Sequence, residues 1–302
     1  MKKLERVLIV VAVLILTYSC ENEPINDPVV NSEQLTFIQE VFTINNQSAS
    51  TIGFTFDNNQ NTKIDYGGSR AEQFFSNGTM NSIQNFDANN VQIGELNFSY
   101  NDSKQLTEIS ISSIENGTTT LQSKLVFEYA ANQITSTRTY YTMDGSIDEI
   151  DSTNIFTING ANQIIRFDDT GIDAFWEATY ADGDLSTILV SGYGNKDGSG
   201  NFTHTVNLAS DSYQKEKFRF GPEWKNNIML FNQVGGYSFK QLAELGTHYL
   251  SGYTYTSASD SNMQITLSVT YEFDNLNRLT KQTKNKLFFQ SAHDHVLTYD
   301  YQ

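Results

Sequence analysis

Two histidines stand on one side of a short run near residue 300, His293-Asp294-His295-Val296-Leu297-Thr298-Tyr299. Alternate residues of an extended chain point the same way, so His293, His295, Leu297 and Tyr299 share a face. Two imidazoles at this spacing can hold zinc only with a third ligand from elsewhere. As polar residues at a strand entrance they need no metal, and none is expected. "GNKDGSGNFT" (194–203) resembles a calcium loop, with Asn195, Asp197 and Ser199 alternating before Gly200. An EF-hand closes with a bidentate Glu at its twelfth position, and here that residue is Val206, so a Gly-rich hairpin loop is the reading. Acidic clusters at 144–152 and 166–173 include Asp168 and Asp169. Paired carboxylates hydrolyse glycosides when held about 5–10 Å apart. Acidic turns in so acidic a chain need no such role.

Aromatic residues offer a different chemistry. Tyr253 and Tyr255 fall on one face of "SGYTYTS", with Thr254 and Thr256 opposite. Exposed, they would stack on sugar rings together with Trp176 and Trp224; buried, they are core. The Gly-x-Ser-x-Gly elbow, the His-Glu-x-x-His helix and the phosphate-binding Gly-rich loop are absent, so no catalytic residue and no cofactor are assigned.

The single cysteine, Cys20, follows a basic start (Lys2, Lys3, Arg6) and an apolar run from Val7 to about Tyr18. That run is too short to span a bilayer as a helix and has signal-peptide proportions. "LTYSC" resembles a lipobox, which makes Cys20 the lipid-bearing first residue of a mature bacterial lipoprotein. The thiol then carries lipid and forms no disulfide. Residues 20–33 are acidic and hold two of the three prolines, as suits a tether. The domains expected are a signal peptide (1–19), the lipidated cysteine and tether (20–33) and one hairpin-repeat domain (34–302). Removing residues 1–19 takes away Lys2, Lys3, Glu5 and Arg6 and moves the net charge from −16 to about −18. Such a charge excludes nucleic acid as a partner and keeps the chain above an anionic bilayer.

The elements that would carry these residues are strands. In "LSVTYEFD" Leu267, Val269, Tyr271 and Phe273 fall on one face, while Ser268, Thr270, Glu272 and Asp274 fall on the other. A polar turn, Asp274 to Arg278, leads into the return strand at Leu279, with Asn277 where positive φ is needed. The unit recurs at 52–66, 96–111, 125–141, 154–167 and 175–190, and "HVLTYDYQ" forms a final half-unit. Leu96, Phe98 and Tyr100 share a face, as do Leu125, Phe127 and Tyr129, and Trp176, Ala178 and Tyr180. Residues 32–42 suit a helical turn or a strand. Residues 221–250 suit one or two short helices, with Pro222 early, Ser238 as N-cap and Gly246 as stop.

Phe273, Asp274, Arg278 and Leu279 are similar to the tyrosine–aspartate (YD, or RHS-like) repeat. Together with the signal, Cys20 and the tether, they resemble a group of Bacteroidetes lipoproteins. That resemblance implies an all-β fold, a single long antiparallel sheet of hairpins coiled into a superroll with a porin-like outline. A soluble roll is expected over a membrane-spanning barrel, because the second strand face carries Ser, Thr, Asn and Glu. Glu21 and Glu23 resemble the acidic export signal of lipoproteins on the outer face of the outer membrane. The expected function is a non-catalytic, lipid-anchored outer-membrane binding module for a glycan or an envelope partner. The alternatives are a glycoside-processing enzyme using acidic loop residues and a structural envelope component.

Overall fold

The computed structural model describes residues 34–45, 47–57, 60–76, 79–161, 163–171, 174–191, 203–214, 248–257, 264–288 and 291–302. Every regular element among them is a strand. In chain order these are β1 (Leu35–Ile44), β2 (Gln47–Asp57), β3 (Gln60–Asp65), β4 (Arg70–Ser76), β5 (Thr79–Phe86), β6 (Gln92–Tyr100), β7 (Leu106–Glu115), β8 (Thr118–Ala130), β9 (Gln133–Tyr141) and β10 (Ile147–Ile150). They continue as β11 (Asn154–Ile158), β12 (Ile164–Asp169), β13 (Ala174–Ala181), β14 (Asp184–Ser191), β15 (Thr203–Gln214), β16 (His248–Ser257), β17 (Gln264–Phe273), β18 (Leu279–Phe288) and β19 (Ser291–Tyr301). Residues 32–42, which suit helix or strand by sequence, run into β1. Of the region expected to hold helices, 248–250 belongs to β16 and 221–247 lies outside the described residues.

Consecutive strands pair antiparallel around the sheet, and β1 pairs with both β2 and β19. β10 and β11 lie end to end along β9, so the wall is an 18-stranded closed barrel. The expected coiled superroll is therefore corrected to a closed barrel. The physical reason is that a closed wall leaves no row of unpaired edge groups.

The closing seam is built from the same unit as the hairpins. In β6–β7, Tyr100 pairs with Leu106 but Ser99 pairs with Glu108, so Thr107 is an extra residue. The bulge brings Leu106 and Ile109 to the same side although they are three apart, and both are buried. The same step buries Met80 with Ile83, Ile164 with Phe167, Leu185 with Ile188, Leu250 with Tyr253, and Leu279 with Gln282. Across the seam Tyr301 pairs with Leu35 and Asp300 with Phe37, and Leu35 and Ile38 are both buried. β19 and β1 thus form a hairpin unit in which Gln34 and Gln302 stand where the turn would begin. Gln34 and Gln302 exchange backbone hydrogen bonds of 2.6 and 2.9 Å there.

All of these bulges lie at one rim, called here the bulge rim; the other is the open rim. A ladder of tyrosines locks the bulge rim. The hydroxyl of Tyr100 donates to the carbonyl of Met80, Tyr129 to Leu106, Tyr180 to Ile164, Tyr271 to Leu250 and Tyr301 to Leu279, at 2.7 to 3.0 Å. Each acceptor belongs to the residue just before the bulge in a preceding return strand, where the regular ladder is interrupted. The turns beyond are built by local side chains. Asp274 accepts the N–H groups of Leu276 and Arg278 at 2.9 Å and the Arg278 guanidinium at 2.7 Å. Asn101 with Gln105, and Asn159 with Gln163, form the neutral version, backbone N–H to Oδ1 and Nδ2 to Oε1, each at 2.9 Å. The expected positive φ at Asn277 is found, at 61°, and Lys104 adopts 60° at the equivalent place.

The buried face of the wall is apolar and the other face is polar. Leu96, Leu125, Phe127, Phe156, Phe167, Trp176 and Ile188 are buried, while Glu95, Asn97, Glu128, Arg166 and Glu177 alternate with them on the outside. A round barrel of 16–18 strands leaves an aqueous channel. The inward side chains of this wall are buried instead, so its interior is filled rather than an aqueous channel. Each buried Phe, Leu or Ile then contributes about 1.5–3 kcal/mol. A membrane-spanning barrel has the reverse polarity, apolar outside and polar inside.

Candidate functional site at the open rim

The apolar filling is incomplete on one side of the barrel. Inward positions of return strands can be counted from the bulge rim. At the third position stand Ile111 in β7 and Val190 in β14, both buried. The same position holds Lys284 in β18 and Glu40 in β1, the two strands that flank β19. One step further toward the open rim, Lys286 follows Lys284 and Phe42 follows Glu40. On β19 between them, His295 and His293 follow Leu297 inward. Register pairs Lys284 with His295 and Lys286 with His293 on one side, and Phe42 with His295 on the other.

These side chains meet. The Glu40 carboxylate, 8% exposed, lies 2.8 Å from Nδ1 of His295. The Phe42 ring sits 4.5 Å from that of His295 and 5.9 Å from that of His293, centroid to centroid. Lys284, Lys286, His293 and His295 are half-buried, so water reaches them although they point inward. Partial burial, which costs a cation its hydration, pushes the Lys286 ammonium below its ordinary pKa. Below this cluster Gln282 accepts from the Tyr299 hydroxyl and donates to that of Tyr271, both at 3.3 Å. Beside it, Val269 pairs with Lys284 and Leu267 with Lys286, and Ile265 pairs with Tyr255 of β16. The site thus joins ammonium and imidazole groups to half-exposed apolar side chains. Among the described residues it presents cationic and hydrogen-bonding groups and no pair of neighbouring carboxylates.

His293 and His295 share a face, as their spacing predicts. Among the described residues no group of three or more His, Cys, Asp or Glu side chains is placed so that it could hold a metal ion. Trp176 and Tyr253 are core, 2% and 5% exposed, with Trp176 stacked on Phe167, and they offer no platform on the outer surface. Tyr255 is half-buried on the inner face, at the third position of β16. Cys20 and Trp224 lie outside the described residues, as does the 194–202 stretch. Asp168 and Asp169 have structural partners. Asp168 takes a forked hydrogen bond from Arg166, and Asp169 accepts from Ser152 Oγ at 3.2 Å and from the Gly171 N–H at 3.0 Å. Glu40, Lys284 and Lys286 escape a reading of single motifs. Their signal is positional: the alternation through "KQTKNK", shifted by the bulge after Leu279, places both lysines inward.

No family model matches the chain, and no curated protein matches it. Solved structures do. A porin-like protein from Bacteroides vulgatus is similar over 89% of this chain and 98% of its own, at 8% identity and a TM-score of 0.40. A porin-like protein from Bacteroides uniformis is similar over 89% and 96%, at 11% identity and a TM-score of 0.33. A protein with unknown function from Bacteroides fragilis aligns with 37% of this chain and 84% of its own, at 15% identity and a TM-score of 0.30.

Proposed function

We propose that the chain is a non-catalytic binding lipoprotein of the outer membrane, tethered through an acylated Cys20, with its barrel held in water. The observation that carries this reading is the polarity of the wall. Charged residues such as Glu95, Glu128, Arg166, Glu177 and Lys281 point outward, and a Lys or Arg on a lipid-facing wall costs about 2–4 kcal/mol at mid-bilayer. A wall of this kind needs an anchor to stay at a membrane, and a lipobox-like Cys20 supplies one. Residues 20–33 reach about 45–50 Å when extended. They lead into the bulge rim at Gln34. The acidic Glu21 and Glu23 favour the cell surface. The bulged hairpin, with its Asp274–Arg278 turn, supports kinship with YD-like repeats.

With Trp176 and Tyr253 buried, the open rim is where the geometry favours a ligand, a glycan or envelope partner included. The test has three parts. Mass spectrometry of the N-terminal peptide is expected to find Cys20 carrying diacylglycerol, and protease added to intact cells is expected to reach the barrel. The purified protein is expected to add no conductance to planar bilayers. An unmodified Cys20 thiol, or stable channels, would end this reading.

A further inference from the structure

The β9–β10 hairpin repeats the bulged unit with its faces reversed. Its turn carries the backbone bonds of the turn after β6. The Thr142 N–H donates to Ser146 at 2.9 Å and the Gly145 N–H to Thr142 at 3.0 Å, as Asn101 does to Gln105 and Lys104 to Asn101. Gly145 takes φ 85° where Lys104 takes 60°. A bulge follows at Asp148, so Ile147 and Ile150 stand where β7 has Leu106 and Ile109. Those two are 0% exposed, whereas Ile147 and Ile150 are 59% and 60% exposed. Register gives the reason. On β9 the buried Ile134 and Ser136 share the inner face with Tyr140, which leaves Thr139 and Tyr141 outward. Ile147 pairs with Tyr141 and Ile150 with Thr139, so the apolar pair of this unit faces outward. Glu149 pairs with Tyr140 and lies on the inner side.

The strand beside this hairpin is missing too. β11 takes the part of β9 nearer the bulge rim, and β12 ends at Asp169, level with Asn154 and Ser136. β10 lies beyond that level, and among the described residues it pairs with β9 alone. Its surroundings are acidic. Asp144, Asp148, Glu149 and Asp151 are here, and no Lys or Arg stands between Arg138 and Arg166. A second copy laid antiparallel on β10 would set these carboxylates against themselves, in a chain of net charge −16. Charge guards the edge against that copy but leaves Ile147, Ile150 and the 81% exposed Met143 in water.

We propose that β10 accepts an extended cationic segment of a partner protein as the next strand of the wall. The segment pairs its backbone with the outer edge of β10, sets Lys or Arg beside Asp148 and Glu149, and covers Ile147 and Ile150 with the apolar residues that alternate with them. This names the chemistry of the envelope partner of the binding lipoprotein proposed above and rests on that reading.

The test uses the purified protein carrying Cys20→Ser, which keeps the barrel and removes the acylation site. A fluorescein-labelled heptapeptide of alternating lysine and valine is titrated by fluorescence anisotropy. The expected result is saturable binding that weakens at least about tenfold when the central valine is proline, which keeps the charge and removes a backbone donor. Asp148→Lys with Glu149→Lys is expected to weaken binding about tenfold, and Ile147→Asn with Ile150→Asn by a similar factor. Asp102→Lys, at an exposed turn of the bulge rim, is expected to leave it unchanged. All these positions are exposed, so each variant is expected to melt with the parent, which separates lost binding from lost folding. Absence of saturable binding, equal affinity for the proline peptide, or indifference to the charge reversal would each overturn the proposal. So would a dimer in sedimentation velocity that Ile147→Asn with Ile150→Asn dissociates, since the edge would then belong to a second copy. If the peptide does not bind while Cys20 is found acylated in cells, the partner class fails and the tethered barrel stands. If the peptide binds and Cys20 is unmodified, the reverse holds.

Discussion

Ile111 and Lys284 occupy the same place in two copies of one structural unit. Each is the third inward residue of a return strand, two beyond the bulge pair. In β7 the position is apolar and 1% exposed; in β18 it is a half-exposed cation. Up to that point the strands agree. Leu106 and Leu279 come first and are both buried; Ile109 and Gln282 come second, and the tyrosine hydroxyls satisfy Gln282. The comparison teaches that the fold is held near the bulge rim, by the paired inward residues and the tyrosine ladder. Positions nearer the open rim differ between the units: Asn85 in β5 and Asp169 in β12 are polar there as well, and in β18, β19 and β1 Lys284, His295 and Glu40 lie side by side.

The largest expected effect tests the filled side. Trp176→Ala, in the packed core, should cost about 3–5 kcal/mol by denaturant unfolding, whereas Leu267→Ala at the open rim should cost roughly 1 kcal/mol. Equal losses would mean that the two sides are packed alike. The Trp176 indole N–H is buried without a hydrogen-bond partner, so Trp176→Phe should be far milder than Trp176→Ala.

The tyrosine ladder comes next. Tyr100→Phe and Tyr180→Phe should each cost about 1 kcal/mol, the net value of a buried hydrogen bond. Burial raises the phenols of Tyr66, Tyr100, Tyr129 and Tyr180 well above their ordinary value. Folding therefore favours the protonated form. That stability is complete below the ordinary tyrosine pKa, near 10, and is lost as pH rises beyond it. Alkaline unfolding curves should flatten in a Tyr100→Phe, Tyr180→Phe double variant. An unchanged alkaline slope would remove the ladder from the account.

A smaller effect concerns the turns. Desolvation alone would raise the Asp274 carboxyl. The N–H groups of Arg278 and Leu276 and the Arg278 guanidinium outweigh it and hold the group below the usual carboxylate range. Its contribution is present at neutral pH and fades as pH falls through the lowered pKa. Arg278→Gln alone should lower the melting temperature, and Asp274→Asn with Arg278→Gln should recover it by recreating the Asn101–Gln105 arrangement. Failure of the double variant to recover would show that the charged and neutral turns are not interchangeable. Smallest of all, Lys281→Met breaks an exposed ion pair with Glu272 and should change stability by no more than about 0.5 kcal/mol.

Much of the fold was legible in residue order because its signals are local. Leu125, Phe127 and Tyr129 share a face by period two alone, and the turn after Asp274 announces itself through Asp, Asn and Arg side chains that bond within four residues. The pairing of β1 with β19 left no such mark. Its partners lie more than 250 residues apart, and Leu35 to Ile38 look like any short apolar run until Tyr301 is beside them. The candidate site was half legible. The common face of His293 and His295 follows from spacing, but their partners Glu40 and Phe42 come from the opposite end of the chain.

The amino-acid order by itself determined the strands, their alternation and the chemistry of the hairpin turns, because backbone geometry and nearby side chains suffice for these. Only the tertiary structure decided that the sheet closes, which face of it turns inward, and that Lys284, Lys286 and two histidines gather beside Glu40. Those outcomes depend on long-range pairing and on burial, which no short stretch of chain can satisfy alone.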